Sequence, residues 1–202
     1  MQIELEQLTQ LAEIHKKLST GYHISEQDFA LWQELDANEE AYSALFTALG
    51  NQLKRDSRGY FHFDVDDATV NMGKISRLFA LTTYALVEFF ADQVQDPLRA
   101  LFDVEISHEI LASILQQQYH LFEQLEVFSA TDLKREVMNR MLRYGFAKAQ
   151  GEHFKLLSPI YRYLDALMAV EQLAEFPNDS SAETSLQSAI ESSLKPQEQA
   201  DV

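Results

Sequence analysis

Apolar residues recur at steps of three and four from the start of the chain. Leu8, Leu11, Ile14 and Leu18 are separated by Glu4, Glu6, Glu13 and Lys17, which predicts an amphipathic helix over residues 3–18. Gly21 breaks it. Ser25 with Asp28 three positions later has the form of an N-cap and its reciprocal acid, opening a short helix through Phe29, Trp32 and Leu35. Asn38 is placed to cap a third helix on which Tyr42, Leu45, Phe46 and Leu49 share a face, and Gly50 suits the position after its end. The period then changes to alternation. Residues 53–55, a polar turn at 56–59 and residues 60–63 predict a β-hairpin.

Residues 72–94 are the most apolar stretch, interrupted only by Lys74, Arg77, Glu88 and Asp92, and predict a helix buried on nearly all sides. Lying between two halves of the chain, it is expected to act as a spine for both and for a second subunit. Pro97 is expected to end this stretch. Ser107 then caps a helix carrying Ile110, Leu111, Ile114 and Leu115, and an apolar stretch follows at 119–128. Ser129 starts a further helix that runs to Tyr144 and stops at Gly145. Residues 146–149, a turn at 150–152 and residues 153–156 repeat the hairpin pattern, and Ser158-Pro159 opens a last helix.

Helices followed by a hairpin, twice, is the order of a winged helix, in which the hairpin forms the wing. The predicted fold is therefore mainly α with small β-hairpin wings, as tandem winged-helix domains. One spans residues 1–66 and the other 67–176, the second including the long connecting helix and a C-terminal helix. Residues 177–202 are Ser, Ala, Gln and acid with almost no large apolar side chain, and predict a disordered acidic tail.

Composition narrows the function classes. The chain has no cysteine, which removes disulfides and thiolate metal sites and fits a reducing compartment. Its acidic opening is unlike a secretory signal, and its longest apolar run is shorter than the roughly 20 residues a bilayer needs, so a cytoplasmic protein with no membrane span is expected. A net charge of -16 argues against wholesale coating of nucleic acid, so any such contact must be local.

No motif carries catalytic or metal chemistry. The six histidines (15, 23, 62, 108, 120 and 153) show no metal-ligand spacing and read as surface or capping residues. Asp64, Asp66 and Asp67 have the chemistry to hold magnesium, but a strand-to-helix turn explains them as well. No catalytic residue, metal or cofactor is assigned, and the protein is read as not an enzyme.

The basic residues are more informative. Between Thr131 and Arg162 there are seven (Lys134, Arg135, Arg140, Arg143, Lys148, Lys155 and Arg162) against three acids (Asp132, Glu136 and Glu152), a balance of +4. Leu133, Val137, Met141 and Tyr144 share one helix face, while Arg135, Asn139 and Arg143 form a stripe on the other. Such a stripe, with Lys148 and Lys155 on the wing, fits the groove and phosphates of double-stranded DNA, bound weakly and without sequence preference. A solvated face or an acidic protein partner fits it too. Phe29, Trp32, Phe79, Phe89 and Phe90 are the candidate partner-binding residues, because aromatic side chains dominate interface energetics.

Four stretches carry a family likeness: Leu18-Ser-Thr-Gly-Tyr-His-Ile24, Arg58-Gly-Tyr-Phe-His-Phe63, Asn139-Arg-Met-Leu-Arg-Tyr-Gly-Phe146, and Phe154-Lys-Leu-Leu-Ser-Pro-Ile-Tyr-Arg-Tyr163. In order and spacing, over roughly residues 15–170, the chain resembles the MukE/MksE family, tandem winged-helix subunits of bacterial condensin-like SMC complexes. Its compact length is closer to MksE. The resemblance implies a homodimer that binds the MksF/MukF-like kleisin subunit joining MksB/MukB-like SMC ATPase heads and helps the complex hold DNA. It implies a nucleoid-associated place and a role in chromosome condensation and partition or in plasmid defence. DNA contact carries over to Arg140, Arg143, Lys148 and Lys155. From the residues alone, a winged-helix transcription regulator is the alternative reading.

Overall fold

The computed structural model describes residues 5–64, 70–93 and 96–174. The first module packs α1 (Leu11–Ser19), α2 (Phe29–Ala37) and α3 (Glu39–Ala48) against a hairpin of β1 (Gln52–Arg55) and β2 (Phe61–Asp64). Each element contributes its apolar stripe to one core: Ile14 and Leu18, Leu31 and Leu35, Tyr42 and Phe46, Phe61 and Phe63. Full burial of each such side chain is worth about 1.5–3 kcal/mol.

The helix start differs from expectation. Residues Leu5–Gln7 form a 3-10 turn and α1 begins only at Leu11. Its first turn is capped from a distance, because Glu34 on α2 accepts from the Gln10 N–H (2.8 Å) and the Thr9 hydroxyl (2.5 Å). Tyr42 donates to the same carboxylate. Although partial burial opposes ionisation, the hydrogen bonds from Thr9, Tyr42 and Gln10 hold the Glu34 carboxyl below its ordinary value.

Two local caps also differ. Ser25 makes no side-chain cap bond, and Asp28 instead accepts from Lys17 at 3.0 Å. Asn38 does not cap α3. Its amide donates to the Glu34 carbonyl (3.1 Å), closing the preceding helix.

The second module is built on α4 (Val70–Ala91), α5 (Pro97–Asp103), α6 (His108–Gln117) and α7 (Tyr119–Gln124). A continuous rod follows, made of α8 (Ala130–Leu133), a π-helical stretch Lys134–Met138 and α9 (Asn139–Arg143). The hairpin of β3 (Ala147–Gln150) and β4 (His153–Leu156) and then α10 (Tyr161–Ala174) complete it. Pro97 opens a helix instead of merely ending a stretch. Asp96 accepts from the Arg99 N–H (3.0 Å), and proline in the first turn has no N–H to leave unpaired.

The long helix α4 is not a spine for both halves. Its buried apolar side chains, from Leu78 to Phe90, all join the second core with Leu111, Phe122, Val137 and Leu164. The hairpins each gain a third strand fragment by the same device, since Ile24 bridges Phe61 in the first module and Ile106 bridges Phe154 in the second. The boundary expected between 66 and 67 and the tail from 177 both lie outside the described residues, as do Asp66 and Asp67. Among the described residues no helix is long and apolar enough to cross a membrane.

Candidate functional site

The rod from α8 to α9 starts at a local cap that the chain itself supplies. The Ser129 hydroxyl accepts from the Asp132 N–H (3.0 Å) and donates to its carboxylate (2.7 Å). Leu133, Val137, Met138 and Met141 are all fully buried. The π turn at 134–138 lies among these buried positions. Arg135, Asn139 and Arg143 face solvent.

The rod ends at Gly145, which takes a φ of +77°. A Cβ there would lie 2.4 Å from the His23 carbonyl oxygen, so only glycine fits. Phe146 then leads into the wing. Ala147, Phe154 and Leu156 turn inward, which puts Lys148 and Lys155, direct cross-strand partners, together on the opposite face. Like charges directly opposite each other oppose the pairing by roughly 0.2–1 kcal/mol.

The ion pairs sort the seven cations of this segment. Arg135 is held by Asp132 (2.7 Å) and Glu136 (2.8 Å), Arg140 by Glu136 (2.7 Å), and Lys134 by Glu152 (3.8 Å). These are the three acids of the local balance. Arg143, Lys148 and Lys155 form no ion pair among the described residues, and Arg162 turns inward to His23. Exposed Arg135 and partly buried Arg140 act as partners of carboxylates, so of the basic residues expected at the DNA contact only Arg143, Lys148 and Lys155 are left unpaired among the described residues, near exposed Asn139.

The partner-binding candidates separate more sharply. Phe29 is 63% exposed. Trp32 is half-buried, with its indole N–H donating to the Gly59 carbonyl at 2.6 Å, so it fastens α2 to the first wing's turn. Phe79, Phe89 and Phe90 lie in the second core and offer no surface to a partner. Phe79 packs edge-on against Phe146 and Tyr163, and Phe89 against Phe90. The apolarity that marked them is used by the chain's own helices.

A seam between the modules was not anticipated from the pattern. His23, read as a surface or capping residue, is buried, and its partners fix its tautomer. Nδ1 faces the Tyr144 carbonyl (3.2 Å), which can only accept, while Nε2 faces Arg162 Nη1 (2.7 Å), which can only donate. The ring is thus neutral, protonated on Nδ1. Burial, then Arg162 and His62, hold it well below the ordinary value of 6.5. His62 stacks on it at 5.2 Å and is lowered by burial and Arg162 as well.

Arg58 makes a two-pronged bond to Asp165 (2.6 and 2.7 Å) and lies over Tyr161. The four family-like stretches meet here, through His23, through Arg58 and His62, through Tyr144 and Gly145, and through Tyr161 and Arg162. That convergence is the signal that could have located the seam in the sequence.

Among the described residues no cluster of His, Asp or Glu is arranged to hold a metal ion. Asp64 is paired with Lys54 at 3.8 Å. A search of curated proteins finds no match to this chain. The family model for condensin complex protein MksE matches residues 9–168, which covers both modules and both wings. The chain therefore belongs to the MksE family of condensin complex proteins.

Proposed function

We propose that this condensin complex protein is a non-enzymatic accessory subunit, cytoplasmic and nucleoid-associated. It dimerises, binds the kleisin that joins the SMC ATPase heads, and helps the complex hold double-stranded DNA weakly and without sequence preference. Family membership supports the place in the complex. One observation supports the DNA contact: in a chain of net charge -16, Arg143 at the end of α9 and Lys148 and Lys155 on the second wing form no ion pair among the described residues. Exposed Phe29 is the side chain best suited to anchor the kleisin.

The test is the salt dependence of duplex binding. Each phosphate contact adds about -0.9 to the slope of log K against log salt, so three contacts give roughly -2.7. The R143E/K148E/K155E variant is expected to bring that slope close to zero for random duplex while leaving dimerisation and kleisin co-purification intact. An unchanged slope returns these cations to a solvated face. The same complex serves chromosome condensation and partition or plasmid defence, and deletion of the gene, scored for nucleoid morphology against plasmid retention, separates the two.

A further inference from the structure

Between the two modules lies a cleft of about 350 Å³. Its wall joins the end of α1 at Ser19 and Thr20, the first wing at Phe63 and Asp64, α4 at Ile75 and Phe79, and the seam residues His23 and Arg162. This size is at the lower end of small-molecule sites, which are common at the junctions of domains.

Arg162 gives the cleft its chemistry. A guanidinium has five N–H donors, and the bond recorded for Arg162 uses one of them, on neutral His23. It forms no ion pair among the described residues, although it is half-buried. A guanidinium drawn out of water without an anion is costly unless something offsets it. Among the described residues nothing does. His23 and His62 are both kept from charging, and Tyr60 and Tyr163 feel the same positive field. The carboxylate lining the cleft, Asp64, is directed to Lys54. Asp165 on the next turn of α10 is engaged by Arg58.

We propose that this cleft binds a small organic acid, its carboxylate on the guanidinium of Arg162 and its apolar body against Ile75. A carboxylate fits better than a phosphate group. One planar fork matches one carboxylate, and among the described residues the cleft has no lysine and no second arginine in its wall for a further charge. Of the hydroxyls in the wall, Thr20 donates to the Lys17 carbonyl, Ser19 pairs with His15, and Ser76 and Tyr163 bond each other. The site is distinct from the DNA-facing cations and does not rest on that reading.

Sodium benzoate and its neutral counterpart benzamide test the proposal on the full-length protein, followed by the NMR resonances of His23 and His62 at constant ionic strength. Benzoate is expected to give saturable shifts and to raise the titration midpoints of both imidazoles, because the bound anion offsets the guanidinium field. Benzamide should bind about tenfold or more weakly, and R162Q should weaken benzoate by a similar factor. R162K, which keeps the charge and loses the fork, should fall between. Should R162Q fail to fold, the contrast between benzoate and benzamide on the unaltered protein decides alone. Equal binding of the two probes, or shifts no larger than sodium chloride produces, would overturn the site, as would wild-type affinity in folded R162Q.

Discussion

The two wings are built alike and charged alike, yet they present different surfaces. In the first, Arg55 lies between Asp36 and Glu39, Lys54 reaches Asp64, and Arg58 crosses to Asp165. In the second, Lys148 and Lys155 stand opposite each other and form no ion pair among the described residues. A basic residue in the sequence is therefore not yet a basic surface, since neighbouring acids decide how much of its charge a ligand can meet.

The helix-ending glycines give the widest margin for breaking this comparison. Gly50 closes α3 and Gly145 closes α9, both at positive φ, but a Cβ on Gly50 would meet nothing within 4 Å. Gly50→Ala is expected to cost only the left-handed penalty, about 1–2 kcal/mol. Gly145→Ala, which adds a clash with the His23 backbone, should cost more than about 3 kcal/mol in urea unfolding. Equal costs would mean that the modules are not locked together at this point.

Next in size is the response to acid. Both His23 and His62 are lowered from 6.5, so below that pH the unfolded chain takes up protons that the folded chain refuses. Their contribution to stability is thus present above about 6.5 and declines as pH falls below it. The urea midpoint should drop between about pH 7.5 and about pH 5, and the drop should be shallower in H62Q. A pH-independent midpoint would show that the seam opens without penalty.

The smallest effect tests the wings directly. Removing the acids around Arg55 in D36N/E39Q should give the first wing a free cation and steepen the duplex salt slope by about one unit. If the slope stays the same, carboxylate neighbours are not what silences that wing.

Much of the architecture was legible because it is written locally. Alternation at residues 53–63 and 146–156 located both hairpins, and the caps at Ser107 and Ser129 act within one turn of their own helices. The misreadings share the opposite property. The start of α1 depends on Glu34, far along the chain, and Asn38 serves the helix behind it instead of the one ahead.

The basic stripe was legible as a sum but not by member, because Glu136 draws in both Arg135 and Arg140 while Arg143 escapes. Phe79, Phe89 and Phe90 show the same limit for apolar residues. Pattern marks them as needing cover, and only packing tells whether the cover is another chain or their own. His23 could not be placed by any periodicity, since its partners Tyr144 and Arg162 belong to the other module.

The wide turn at Lys134–Met138 stores one residue more than an ordinary helix of the same length would contain. A length change is thereby parked in the middle of a rigid element instead of in a loop. Loss of a single codon within 134–138 would let the rod close into regular α-helix while Ser129 and Gly145 kept their anchors. The chain has a slot for trimming here, a few residues from exposed Arg143, and variants shortened by one residue should accumulate at this slot sooner than anywhere else in the rod.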